Sequence, residues 1–190
     1  MSKKIQFLVI HCTDTPAGRA VTPDDIVLWH RGMLKNADGT FTFQGKKYTS
    51  AQLRDLTMIL PSGKVVAAYD KNGRGWKQVG YTDMVLLDGK VERLVDNNED
   101  NIIDPWEVTN GVAGINSVSR HIVYVGGKSG DTRTVEQKKA LESYVLDFVQ
   151  RFPDVQVAGH YQFDKSKSCP GFDVPVWCRE IGIPDKNIRV

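Results

Sequence analysis

Ile5-Gln6-Phe7-Leu8-Val9-Ile10-His11 is apolar on both alternating faces, with Gln6 as the one polar exception before the terminal histidine. A strand of that kind belongs in the middle of a sheet that is covered on both sides. It ends on a side chain that can carry a proton or bind a metal. The next residues, Cys12-Thr13-Asp14-Thr15-Pro16, no longer alternate and read as a loop leaving the carboxyl end of the strand.

Outward from this strand, Thr22 is a good helix N-cap, Pro23 suits the first helical position, and Asp24 and Asp25 place negative charge in the first turn. That helix should end near Gly32. Residues 33–75 are rich in Gly, Lys, Thr and Asn, with strand-like pieces at Thr40–Phe43 and Lys64–Tyr69 between turn signals. They read as an inserted loop with a small hairpin. Tyr81–Leu87, the turn Asp88-Gly89 and Lys90–Val95 form a second predicted hairpin. A strand is expected at His121–Val125. After the capping box Thr134-Val135-Glu136-Gln137 comes a helix with Leu141, Val145, Phe148, Val149 and Phe152 on one face. Gln156–Ala158 is a short strand leading into His160, and a last helix is expected over Val174–Ile181. Strands and helices mixed over one core, without internal repeats, predict an α/β fold: a single domain with a central mixed β-sheet flanked by helices.

A length of 190 residues suits one domain with a substantial core, and 41% apolar with 25% charged residues is an ordinary balance for such a domain. No apolar run is long enough to span a bilayer, so no membrane partner is expected. Met1-Ser2-Lys3-Lys4 is basic, but the apolar run after it is short and lacks a small-residue cleavage site. Synthesis in the cytoplasm without a signal peptide is therefore expected, with any action outside the cell requiring another route. Three cysteines, Cys12, Cys169 and Cys178, do not make a closed disulfide framework. The net charge of +2 is too small to argue for nucleic acid, and a monomer is expected. Charge is unevenly placed: residues 31–79 carry nine Lys/Arg against three Asp, and residues 88–107 carry seven Asp/Glu against two Lys/Arg. Each is either a solvated surface or a binding segment, with anionic polymers the natural partner of the basic one.

His11 closes the first strand, His160 follows the last one, and active sites of α/β sheets gather at carboxyl ends of strands. Cys169 lies nine residues beyond His160 in a loop broken by Pro170 and Gly171. Two ligands on a short spacer plus one remote ligand can hold catalytic zinc with a fourth position open to water. Strand alternation turns Cys12 to the face opposite His11. Spacing alone does not separate such a site from histidines satisfied in a core.

The local sequences around these residues resemble a family. Val9-Ile10-His11-Cys12-Thr13-Asp14-Thr15-Pro16 is similar to the first-strand motif of the N-acetylmuramoyl-L-alanine amidases of phage-lysozyme type, which share their fold with peptidoglycan recognition proteins. Gly75-Trp76-Lys77-Gln78-Val79-Gly80-Tyr81, with a strand and Asp88-Gly89 after it, resembles the second motif of that family. Tyr124-Val125-Gly126-Gly127 and Asp131-Thr132-Arg133-Thr134 resemble its phage- and Bacteroides-like branch. Val157-Ala158-Gly159-His160 with Lys167-Ser168-Cys169-Pro170-Gly171-Phe172-Asp173 resembles the closing motif. All four occur in the family's order.

The resemblance implies that His11, His160 and Cys169 ligate zinc. It implies that Tyr81 orients or deprotonates the water and that Lys167 stabilises the developing oxyanion. The substrate implied is a peptidoglycan muropeptide, cut at the amide between the lactyl group of N-acetylmuramic acid and L-alanine, as an endolysin does. Two other readings stay open: a peptidoglycan-binding module that does not cut, whose relatives typically lack the cysteine, and a zinc peptidase acting within the stem peptide. The chain departs from the pattern at Thr82, where the family usually has histidine, and at His121, where a small or apolar residue is usual. His121 either lines the cleft or packs.

A second ion site is legible at Asp96-Asn97-Asn98-Glu99-Asp100-Asn101-Ile102-Ile103-Asp104-Pro105-Trp106-Glu107. Asp96, Asn98, Asp100, Asp104 and Glu107 fall at positions one, three, five, nine and twelve of a calcium loop. Asn101 replaces the glycine usual at position six, and a strand rather than a helix precedes the loop. Calcium is thus an expectation beside a solvated acidic turn.

Overall fold

The computed structural model describes residues 1–190, which gather into two compact units: Met1–Ala20 with Tyr81–Val190, and Val21–Gly80. The first is built on a five-stranded sheet ordered Gln156–Gly159, Phe7–Cys12, Ser119–Tyr124, Asp83–Val85 and Val91–Arg93. The first four strands run parallel and Val91–Arg93 pairs antiparallel with Asp83–Val85, which makes the sheet mixed as expected. Phe7–Cys12 has a parallel neighbour on each side, and its Leu8, Val9 and Ile10 are fully buried. All six residues of Ser119–Tyr124 are buried as well. Continuous apolar runs are what a sheet covered on both faces requires.

One cover is the helix Val135–Arg151, which buries Leu141, Val145, Phe148 and Val149 as its apolar spacing predicts. Burying side chains of this size contributes roughly 1.5–3 kcal/mol each. Its start is doubly fastened. Thr134 and Gln137 exchange capping-box bonds, and the wholly buried Gln137 amide also donates to the carbonyls of Val85 and Val125 at 3.3 and 2.9 Å. The cap therefore ties the helix to the carboxyl ends of two neighbouring strands, at Val85 and just past Tyr124. The final helix, Val174–Glu180, starts on the Asp173 carboxylate and buries Val174, Trp177 and Cys178. Ile102–Ile103, within the acidic stretch, pairs antiparallel with Lys3–Lys4.

In the second unit, Thr22 and Asp25 make both bonds of a capping box, and the helix Pro23–Arg31 ends at Gly32. A Cβ on Gly32 would stand 2.4 Å from the Leu28 carbonyl oxygen, so the chain can turn there only with glycine. The segment 33–75 is more structured than a loop with one hairpin. Leu34–Lys35, Phe41–Phe43 and Lys46–Tyr48 form a three-stranded antiparallel sheet, and Thr57–Ile59 pairs with Val65–Ala67. Between them Thr49 caps a short helix, Ser50–Leu53. The turn joining Phe41–Phe43 to Lys46–Tyr48 is Gln44-Gly45, both at positive φ, a hairpin geometry without the Asn-Gly signature.

Candidate metal centre

Parallel pairing brings the two candidate histidines together. Gly159 sits opposite Ile10, so His160, the next residue of one strand, comes beside His11, the next residue of the other. Their rings lie 4.8 Å apart at 61°. His160 opens a 3-10 turn, and the chain then doubles back, the Tyr161 N–H donating to the Cys169 carbonyl at 3.0 Å. Cys169 Sγ comes to rest 3.8 Å from His11 Nδ1. The backbone N–H of Cys12 donates to that sulfur at 3.2 Å, a contact that favours thiolate. Tyr124 fastens the loop from below, its hydroxyl donating to the Pro170 carbonyl at 2.6 Å.

His11, His160 and Cys169 each turn one ligand atom inward, all within 4.8 Å of one another. Zinc–sulfur and zinc–nitrogen bond lengths at a tetrahedral angle place S and N about 3.6 Å apart. The observed 3.8 Å is close to that, and a donor set of two imidazoles and one thiolate suits zinc. The residues therefore fit a dication with an open fourth position. Burial, against the pull of Asp164, lowers the proton affinity of His160, which keeps its lone pair available. Contact with the Cys12 thiol, together with burial, raises the Cys169 thiol above its ordinary value, and a bound dication would reverse that.

Cys12 does not join this group. Its side chain lies with the buried apolar cluster, against Gly127, where a Cβ would come within 2.3 Å of the Cys12 sulfur. Tyr81, just ahead of the Asp83–Val85 strand, is half-buried with its ring 5.1 Å from that of His11. Lys167 is exposed on the loop that carries Cys169, its N–H bonded to the Asp164 carbonyl at 3.0 Å. Beside the loop a groove opens between Ser129, Tyr161, Lys167, Ser168 and Phe172.

His121 is wholly buried, its Nδ1 3.0 Å from His11 Nε2. It neither lines the cleft nor merely packs. Burial, with His160 adding to it, pushes its imidazole down to about 3, so the ring is neutral. The signal available in the sequence was a histidine in an otherwise apolar strand; its partner was not legible there.

The calcium expectation is corrected. Asp96, Asp100, Asp104 and Glu107 do not converge as an ion site would require, and the one group of His, Cys, Asp or Glu side chains placed closely enough to hold an ion is His11, His160 and Cys169. The carboxylates of Asp100, Asp104 and Glu107 accept hydrogen bonds from the protein instead. Glu107 is buried and accepts the backbone N–H groups of Asn98 and Asp104, the latter at 2.9 Å. Asp104 accepts from Ser2 and, at 3.0 Å, from the Asn98 amide, while Asp100 accepts the Ile102 N–H at 2.8 Å.

Solved structures with this fold include the Ph2119 endolysin from Thermus scotoductus MAT2119 bacteriophage Ph2119 (TM-score 0.55, 20% identity, 98% of this chain and 87% of that one). Others are the N-acetylmuramoyl-L-alanine amidase LysC from Clostridium intestinale URNW (0.57, 16%, 95% and 87%) and bumblebee PGRP-SA (0.52, 16%, 93% and 81%). No curated protein matches the chain in sequence. The model of the N-acetylmuramoyl-L-alanine amidase family matches residues 1–172. Sheet, donor group and sequence thus agree: the chain belongs to the N-acetylmuramoyl-L-alanine amidase family.

Proposed function

We propose that this protein is a zinc-dependent amidase of the endolysin kind, hydrolysing the amide between the lactyl group of N-acetylmuramic acid and L-alanine in bacterial peptidoglycan. The observation that carries the reading is the convergence of His11, His160 and Cys169 at the carboxyl end of the parallel strands. Similar structures include a Drosophila PGRP-LB mutant in complex with tracheal cytotoxin, which supports a muropeptide ligand for this fold.

When bound, zinc would supply Lewis acidity toward the scissile carbonyl and toward water. The chain's own groups do the rest. His11 and His160, in neutral form, and Cys169, as thiolate, would hold the ion. Tyr81, on the His11 side, orients the attacking water and relays its proton through the phenol oxygen. Lys167 presents an ammonium group from the Cys169 loop, where charge develops on the carbonyl oxygen as it becomes tetrahedral. The groove beside Lys167 holds the stem peptide.

Mass spectrometry of digested sacculi tests this. Free stem peptides beginning at L-alanine are expected, produced only by the zinc-loaded protein. Cuts inside the stem peptide would make the protein a peptidase, and binding without release would make it a recognition module. A binding module is disfavoured because Cys169 is present and reaches the donor group.

A further inference from the structure

His121 has no part in the chemistry above, yet its place is closely prepared. Gly111 makes room for the ring: a Cβ there would stand 2.3 Å from His121 Nδ1. Thr82 holds the backbone on the other side, accepting the His121 N–H on its hydroxyl at 3.2 Å and donating its own N–H to the His121 carbonyl at 2.8 Å.

The two nitrogens of His11 face different partners. Nδ1 is turned to Cys169 Sγ at 3.8 Å, and Nε2 to His121 Nδ1 at 3.0 Å. A neutral imidazole has one lone-pair nitrogen and one N–H. If Nδ1 offers its lone pair to a metal, the proton sits on Nε2 and points at His121 within normal hydrogen-bond distance. We propose that His121 is a positioning residue of the metal centre, accepting the Nε2–H of His11 so that the Nδ1 lone pair stays directed at the ion.

The inference rests on the zinc reading given above. Metal-bound histidines commonly donate their second N–H to a carboxylate, a carbonyl or water. A neutral imidazole can accept the same proton without placing negative charge beneath the ion. The proton of His121 then sits on its Nε2, which has no hydrogen-bond partner. An apolar side chain would escape that desolvation cost, so an imidazole here needs the bond to His11 to offset it.

Zinc titration against a chromophoric chelator, on the wild type, His121→Phe and His121→Asn, tests the role. The Phe variant keeps a planar aromatic ring and removes the acceptor, and its zinc affinity should fall about 10–100-fold. The Asn variant places an amide oxygen near the position of Nδ1 and should restore most of that loss, which a simple packing role would not do. Long-range nitrogen–proton spectra of the zinc-loaded wild type need no variant to fold, and should place the proton of His11 on Nε2. Wild-type affinity in the Phe variant, or a proton on His11 Nδ1, overturns the proposal while leaving zinc in place. A wild type that binds no zinc fails the metal reading itself and takes this inference with it.

Discussion

Two regions of this chain carry side chains suited to ions, and only one assembles them. His11, His160 and Cys169 are separated by up to 158 residues, yet their ligand atoms lie within 4.8 Å. Asp96, Asn98, Asp100, Asp104 and Glu107 fall within twelve consecutive positions, yet the carboxylates of Asp100 and Glu107 accept the loop's own N–H groups and Asp104 accepts from Ser2 and the Asn98 amide. The difference lies in what satisfies the backbone. Around His11 and His160 the parallel sheet has already paired the main chain, so the side chains at its end can face one another. The acidic turn has a strand pairing of just two residues, Ile102–Ile103 with Lys3–Lys4, and carboxylates take up several of its other N–H donors. Ligand spacing in sequence is thus a weaker guide to an ion site than who else needs those lone pairs.

The sharpest way to break this comparison is Cys169→Ala. Zinc content, read by elemental analysis, should fall from about one ion per chain toward none, with muropeptide release lost in step. An active, zinc-bound variant would remove Cys169 from the ligand set. Next in size are the two groups proposed to act without holding the ion. Tyr81→Phe should lower the turnover rate by about 10²–10⁴-fold and Lys167→Ala by about 10²–10³-fold, both with zinc content unchanged. Loss of zinc in either would make it a ligand or a structural support instead.

His30, in the second unit, supplies a histidine outside any ion group. It accepts the Gly80 N–H on Nδ1 at 3.1 Å, and burial, helped by the charge of Arg74, pushes it down to about 4. The unfolded chain takes up this proton near the ordinary histidine value of about 6.5. Between the two values the unfolded state therefore holds the extra proton, and stability falls as pH falls. The contribution is full above about 6.5 and is lost toward 4, worth up to about 3 kcal/mol. Denaturant unfolding at both pH values should show the loss, and His30→Asn, which keeps an acceptor without titrating, should reduce it; an unchanged slope would remove His30 as the cause. Smallest is Glu107→Gln, expected to cost roughly 1–3 kcal/mol through its two backbone bonds. At about 2–4 °C per kcal/mol the melting temperature should register it, and added calcium should leave the wild-type value unchanged. A calcium-dependent rise would reopen the acidic loop as an ion site.

Much of the fold is legible in local sequence. The Ile5–His11 run, the Asp88-Gly89 hairpin and the helix after Thr134 are each marked by burial pattern, turn chemistry or a capping box, all of them local. The hairpin strands came out shorter than Tyr81–Leu87 and Lys90–Val95, as Asp83–Val85 and Val91–Arg93, because pairing rather than composition sets strand ends. Residues 33–75 were the least legible. Lys46–Tyr48 is too polar to read as a strand and exists through its pairing with Phe41–Phe43. The capping box of Thr49 and Gln52 is written in the sequence, but it starts a helix of only four residues.

The covered central strand, the histidine that ends it, the capped helices and the family motifs are written in local sequence, because each depends on neighbours a few residues apart. Tertiary structure alone decided which polar groups would meet. Parallel register set His160 beside His11, the returning loop brought Cys169 to them, and His121 was placed against His11 Nε2 from a strand more than a hundred residues away. The same long-range pairing, reduced to two residues in the acidic turn, left its carboxylates to satisfy backbone rather than bind an ion.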